Sequence, residues 1–251
     1  MRSKLWLAIA LIAASLFLFG EQQASAAVLP NIDISIGGDS EEPNTSALSL
    51  LLIITVLSVA PAILVLMTSF TRIVVVLGFV RMSLGTQTSP PNQVILGLAL
   101  FLTLFIMSPT LSEVNQTALQ PYLRGEMTQT EALEAAAIPM KEFMAKHTRE
   151  KDLLLFMRYA QMERPASVED IPITVLVPAF AISELKTAFQ MGFMIFIPFL
   201  IIDMIVASTL MAMGMMMLPP MMISLPFKIL LFVLVDGWYL VVKSALLSFN
   251  P

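Results

Sequence analysis

Residues 189–222 read FQMGFMIFIPFLIIDMIVASTLMAMGMMMLPPMM, and Asp203 is the one ionisable side chain among them. As a helix, Phe189–Met213 is long enough to cross about 30 Å of hydrocarbon. The chain then meets three consecutive methionines and the Leu218-Pro219-Pro220 turn, beyond which Ile223–Val242 supplies a second apolar run of membrane length. The reading is a helical hairpin with a methionine-rich tip, set in something other than water.

The rest of the chain repeats the pattern. Of 251 residues, 57% are hydrophobic and 13% charged, where a soluble domain carries about 25% charged residues to cover its surface. Between Glu42 and Glu113 there is no acid, and Arg72 and Arg81 are the only bases. Two further apolar runs fall there, Ala47–Met67 and Val94–Leu111, separated by Thr68–Asn92 with both arginines and the Pro90-Pro91 stop. At the start, Arg2 and Lys4 precede the apolar stretch Leu5–Phe19 and the small-x-small triplet Ala24-Ser25-Ala26. That is the pattern of a cleavable signal peptide, 1–26, followed by a mobile acidic extracytoplasmic segment, 27–46. An outside start sends the first apolar helix inward, so Arg72 and Arg81 fall on the cytoplasmic side, in line with the positive-inside tendency. Four crossings then return the C-terminus to the side of the mature N-terminus.

Residues 112–172 differ in kind, with seven basic and ten acidic side chains and the sole histidine, His147. This polar segment is predicted to lie outside the membrane as short helices. Thr130 precedes a first helix over Glu131–Ala137, and Pro139 opens a turn in which Met140, Phe143 and Met144 share a face and Glu142 pairs with Lys146. Thr148 reads as the N-cap of Leu154–Met162, with Leu155, Tyr159 and Met162 on one stripe and Phe156 beside it. So little apolar material suits a cap packed against neighbouring elements rather than a free-standing domain.

Within 173–251 the charges are Glu184, Lys186, Asp203, Lys228, Asp236 and Lys243, three of each sign. Ionisable groups in apolar surroundings normally find partners, so pairing is expected, within the chain or across a subunit boundary. A proton or cation relay through Asp203 and Asp236 is the alternative. Methionine is the most unusual local feature: ten of 19 lie in Met191–Met222, and seven in Met211–Met222. Unbranched, polarizable side chains fill irregular gaps, so this tip reads either as filler or as a deformable apolar seal around a pore. With no cysteine, no phosphate loop and no zinc-binding His-Glu-x-x-His, no enzyme and no cofactor is expected. His147 reads as solvated or capping. A net charge of −4 speaks against nucleic acid as a partner.

Two stretches resemble a known family. Thr68-Ser-Phe-Thr-Arg-Ile-Val-Val-Val-Leu77, Leu84-Gly85, Pro90-Pro-Asn-Gln-Val94 and Gly97-Leu-Ala-Leu-Phe-Leu-Thr103 are similar to the first block of the FliP family of type III export-gate proteins. Pro178-Ala-Phe-Ala-Ile-Ser-Glu-Leu-Lys-Thr-Ala-Phe-Gln-Met-Gly192 resembles the second, with Pro198-Phe-Leu-Ile-Ile-Asp203, Met213-Gly-Met-Met-Met-Leu-Pro-Pro220, Leu225-Pro-Phe-Lys228 and Val235-Asp-Gly-Trp238.

The resemblance implies an all-α integral membrane protein of two long kinked helical hairpins, 47–111 and 173–251, around the polar helical segment. It implies a pentamer that joins FliQ-like and FliR-like subunits in the export apparatus and conducts unfolded proteins across the bacterial inner membrane. Met215, Met216 and Met217 match the family's gasket, and Glu184 and Lys228 match charged subunit contacts. Lys186, Asp203 and Asp236 join them as candidate contact charges, and Phe143 and Phe156 as candidate ring-assembly contacts. The signal peptide and polar segment favour the flagellar basal body, with both mature termini periplasmic. A virulence-type gate and a small-ion channel or transporter subunit are the alternatives.

Overall fold

A helix built from a β-branched run stands at the centre of the computed structural model. It spans Phe70–Leu84 (α1), and Ile73, Val76, Leu77, Val80 and Leu84 are buried at helical spacing. Residues 51, 54–55, 57–59, 62, 65–86, 88–162, 164–165, 167–215 and 217–249 are the ones the structure describes, and no strand occurs among them. The signal-peptide and acidic N-terminal readings, 1–26 and 27–46, lie outside the described residues, as does much of the run Ala47–Met67. Where that run is described it is helical, with Leu51, Ile54 and Leu57 exposed. The chain divides after Val56 into two units, and Leu57–Pro251 holds every element that follows.

Isolated valines disfavour helix, so α1 depends on its packing. Its main neighbour is the 40-residue helix Ile173–Ala212 (α6). The two approach closely at Gly192, where an added Cβ would stand 2.3 Å from the Phe79 ring. Phe79 also meets Phe189 edge-on, 5.4 Å between centroids. α1 ends at Gly85, whose φ of 74° lets its N–H return to the Met82 carbonyl at 3.1 Å.

Asn92–Val114 (α2) continues through a π-turn, Asn115–Leu119, into Gln120–Leu123 (α3). Only a narrow i, i+4 stripe of α2 is buried: Ile95, Ala99, Thr103 and Met107. Leu100, Phe101, Leu104 and Phe105 are exposed, the mark of a helix that meets lipid or other protein rather than water. The apolar run stops at Leu111, yet the helix goes on into the polar segment, because helical hydrogen bonding does not require apolar side chains.

Gln129–His147 (α4) is one helix through Pro139, where the sequence predicted a short helix and a new turn. Its start is set by Thr128 rather than Thr130. Thr128 Oγ1 accepts from the Glu131 N–H, and the Thr128 N–H donates to Glu131 Oε2 at 2.8 Å, a reciprocal capping box. Thr148 closes α4 instead of opening the next helix, its hydroxyl donating to the Met144 carbonyl at 2.7 Å. Glu150–Tyr159 (α5) is correspondingly rotated: Met157 is buried, Leu153 and Phe156 pack beside it, and Leu155 and Tyr159 of the expected stripe are exposed. A polar pin fixes that rotation. Asp152 Oδ2 accepts from the Ser183 hydroxyl of α6 at 2.7 Å, and the same hydroxyl accepts from the Arg149 N–H at 3.1 Å.

α6 passes through Pro178 and Pro198. Pro220–Leu234 (α7) and Gly237–Leu247 (α8) follow, bent by 63° at a break where Asp236 takes φ 51°. Gly237 is required there, since a Cβ would stand 2.3 Å from the Phe232 ring. By length and composition Asn92–Leu123 and Ile173–Ala212 can each cross a membrane, and the α7–α8 pair is a third candidate if counted as one bent span. One core joins α1, α2, α6, α7 and α8 through Val76, Ala99, Ala188, Phe232 and Val241. A second, around Met144, Met157, Leu176 and Phe180, seats the polar segment on the first turns of α6.

Candidate functional site

The charges predicted to matter in apolar surroundings form two clusters along α6. In the first, Glu184 is fully buried and Arg72 is 3% exposed. Arg72 Nε donates to Glu184 Oε2 at 2.9 Å, and Nη2 donates to Oε1. Nη1 donates to both the backbone oxygen and the hydroxyl of Ser248 at 2.9 Å, and the Phe249 ring lies 3.8 Å from Cζ. A planar guanidinium suits this site because its fork meets a carboxylate with two parallel bonds and still has donors and a flat face to spare. Arg72 thus ties α1 to α6 and to the end of α8. The sequence had placed it among cytoplasmic-side charges, and pairing of Glu184 was expected within the chain or across a subunit boundary. Glu184 draws its cation from its own chain but from more than a hundred residues away, which no local pattern encodes.

The second cluster spans α6 and α7. Lys228 Nζ donates to Asp203 Oδ2 at 2.6 Å, and the Ser224 hydroxyl donates to Oδ1 at 2.5 Å. Lys228 is nearly fully buried, whereas Asp203 keeps an exposed edge. Lys228 Nζ also lies beside Gly85, 3.7 Å from where a Cβ would be, so its charge stands at the C-terminal end of α1, where the helix dipole favours a cation. Of the other candidate contact charges, Lys186 is exposed near Lys151 and Arg149, and Asp236 is exposed at the α7–α8 bend. Arg81 donates to Asn92 Oδ1, bridging the end of α1 to the start of α2.

Phe143 and Phe156 are both half-buried against the chain's own core. Phe143 sits among His147 (4.9 Å), Phe180 (6.0 Å) and Phe249 (6.3 Å), and His147 meets Phe249 edge-on at 5.1 Å. His147 is therefore half-buried among aromatic rings, where the sequence suggested a solvated or capping side chain. Burial, followed by the nearby Arg72 and Lys146 charges, lowers its pKa from 6.5 to about 4, so it is neutral near pH 7. The sequence carried one signal of this, the i, i+4 spacing of Phe143 and His147.

At its far end α6 turns into α7 through residues 213–219. Gly214, with φ 74°, returns its N–H to the Met211 carbonyl at 3.0 Å, and the Met215 N–H reaches Leu210 at 3.0 Å. Methionines dominate the turn and its flanks: Met211, Met213, Met215, Met221 and Met222 are exposed, and Met217 is 99% exposed. Met216 lies outside the described residues. No side chain with a charge falls between Asp203 and Lys228, so this end of the molecule offers thioethers and little else.

The profile of the FliP family matches residues 53–245. The flagellar biosynthetic protein FliP of Bacillus subtilis (strain 168) is 68% identical over 217 residues, covering 86% of this chain and 98% of that protein. Those of Pectobacterium carotovorum and Aquifex aeolicus (strain VF5) are 55% identical over 205 residues (82% and 80% of the two chains) and 46% identical over 224 (88% and 92%). With its charge pairs, close-packed glycines and methionine turn all inside the matched region, this chain belongs to the FliP family.

Proposed function

We propose that this chain is a core subunit of the flagellar protein export gate, and that its methionine turn is the compliant seal of the channel through which unfolded flagellar proteins cross the inner membrane. The observation that carries the reading is the turn: exposed thioethers at the end of a hairpin, with no charged side chain between Asp203 and Lys228. Flexible apolar side chains in a ring exclude water and ions when they meet, and yield when a polypeptide passes. The names of the relatives support the flagellar setting.

Several parts follow from this. The chain works as a pentamer with FliQ-like and FliR-like subunits, and the exposed apolar faces of α2 and α6 are covered by those neighbours as well as by lipid. Lys186 and Asp236, exposed at the surface, meet charges on neighbouring subunits. Glu184 and Lys228 act on the same contacts by holding α6 in place from within. Residues 1–26 are removed as a signal peptide, α6 with α7 and α8 makes a helical hairpin, and the polar segment and both mature termini face the periplasm. Energy for transport comes from other components, and this subunit performs no catalysis.

Replacement of Met215, Met216 and Met217 by alanine is expected to raise small-ion conductance of the assembled gate while export persists, read by electrophysiology and secretion assay. A gate that stays tight, or a chain that fails to co-purify with FliQ-like and FliR-like proteins, would overturn the reading. Conductance that responds to Asp203 or Asp236 substitutions alone would favour an ion pathway instead.

A further inference from the structure

We infer that Lys186, on α6 of one copy of this chain, pairs with Asp236, at the α7–α8 bend of the next, and that this contact between different sides of the subunit carries the ring from copy to copy. The pairing rests on the ring of copies proposed above and names the residues that join it. Of the six charged side chains in 173–251, Glu184 is bound to Arg72 and Asp203 to Lys228 within the chain. Lys186, Asp236 and Lys243 remain, and none of them makes an ion pair among the described residues. Lys186 stands near two further cations, Lys151 and Arg149. Asp152, close by, is already held by Arg149 at 2.7 Å and by the Ser183 hydroxyl at 2.7 Å. Charges set in apolar surroundings normally find partners, so this spot calls for an acid from outside its own chain.

The two charges sit in apolar patches on different sides of the molecule. Lys186 lies two residues beyond Glu184, about 200° round the helix, so it points away from α1, where Glu184 meets Arg72, and away from the end of α8 that Arg72 holds. It shares an outward stripe with the exposed Ile182 and Phe193. Asp236 belongs to the arm formed by α7 and α8, which packs on the side of α6 that carries Phe199 and Asp203. Val235, Tyr239 and Leu240 are exposed around it. Lys243 is the other free cation, but it lies on α8 itself, seven residues from Asp236, with its ammonium 5.6 Å from the Tyr239 ring. A contact between Asp236 and Lys243 of two copies would join one patch to itself. Such an isologous contact is two-fold and closes at a dimer, whereas two different patches make a heterologous contact that continues round a ring. Lys186 is therefore the partner that a ring requires.

The chain has no cysteine, so Lys186→Cys and Asp236→Cys can be combined in one full-length chain and treated with a short bis-maleimide in membranes holding the assembled complex. A ladder of cross-linked copies that runs past the dimer is expected, and neither single variant should give one. A complex of normal size that yields no ladder, or a product that stops at the dimer, overturns the pair and leaves the export-gate reading standing. Charge exchange is the second measurement. Lys186→Glu and Asp236→Lys are each expected to lower the yield of assembled complex on native gels about tenfold, because like charges then face each other across the contact, and the double exchange is expected to restore it. Single variants that assemble like the wild type count against the pair. So does a double variant as poor as the singles, which would put the partner charges on FliQ-like or FliR-like subunits instead. A wild-type complex that contains one copy of this chain sinks the ring itself, and the pair with it.

Discussion

The two ends of α6 belong to one unbroken helix and meet opposite fates. Over its first half, Leu176, Ala179, Phe180, Ser183, Glu184 and Ala188 are essentially inaccessible, clasped by α1 and α5 and held by the Arg72 ion pair. Over its last third, Ile201, Met204, Ile205 and Met211 are exposed, and the chain leaves the helix through exposed methionines. The first end fixes the position of the helix. The second meets its own chain on one face, where Asp203 holds Ser224 and Lys228, and leaves the other face uncovered, as a part that must meet another subunit would. The more apolar end is the more exposed one, so the difference arises from what packs against the helix and not from hydropathy.

The largest expected effect is at the fixed end. Arg72→Ala or Glu184→Ala leaves a buried charge without its partner, and such changes cost ~3–5 kcal/mol. The double change Arg72→Met with Glu184→Leu should recover much of that loss, because a buried pair is weakly stabilising relative to apolar side chains of similar volume. Thermal unfolding in detergent checks both, and a single variant as stable as the wild type would show that the anchor lies elsewhere. Next comes Gly192→Ala. Its new methyl group would collide with Phe79 near that residue's own backbone, where the ring cannot swing clear, and overpacking of this kind costs ~1–3 kcal/mol. Limited proteolysis should then cut the α1–α6 contact sooner.

The third effect is one of pH. His147 has an unfolded pKa near 6.5 and a folded value of about 4, so the folded state favours the neutral ring. Its contribution is fully present above pH 6.5 and is lost as pH falls toward 4, because the unfolded chain gains a proton that the folded chain resists. His147→Phe is expected to flatten the fall in melting temperature across that window, with Arg72 and Lys146 still in place. An unchanged pH profile would mean that the ring does not feel its aromatic surroundings. The smallest effect belongs to the loose end: replacing Met213, Met215 and Met217 by leucine should leave the melting temperature where it was, since exposed side chains away from special features contribute within about 0.5 kcal/mol. Were it to destabilise as much as Gly192→Ala, the contrast between the two ends would collapse.

Much of the architecture was legible in the linear chain. The apolar runs marked α2, α6 and the α7–α8 region, and Leu218-Pro219-Pro220 marked the turn, because hydrocarbon-length apolar segments and prolines act locally. Phe70–Leu84 was harder. Its two arginines read as charges between spans, while Ile73, Val76, Leu77 and Val80 carried a helical stripe that the arginines obscured. The polar segment misled in register: Thr130 and Thr148 both look like helix starts, and the structure uses Thr128 and Arg149. A cap is chosen by which neighbour can reciprocate, here Glu131, and by how the following helix must rotate to seat Met157.

Composition and periodicity alone establish an all-helical protein with membrane-capable helices, its charges gathered in one polar segment and its methionines at one turn. These follow from the transfer energies of side chains, which depend on residue type and not on neighbours. Which charges meet was settled only by the fold. Glu184 is bound by Arg72, Arg72 by Ser248 and Phe249, and His147 is kept neutral beside them, because ion pairing and desolvation fall off within a few ångströms and depend on segments that only packing brings together.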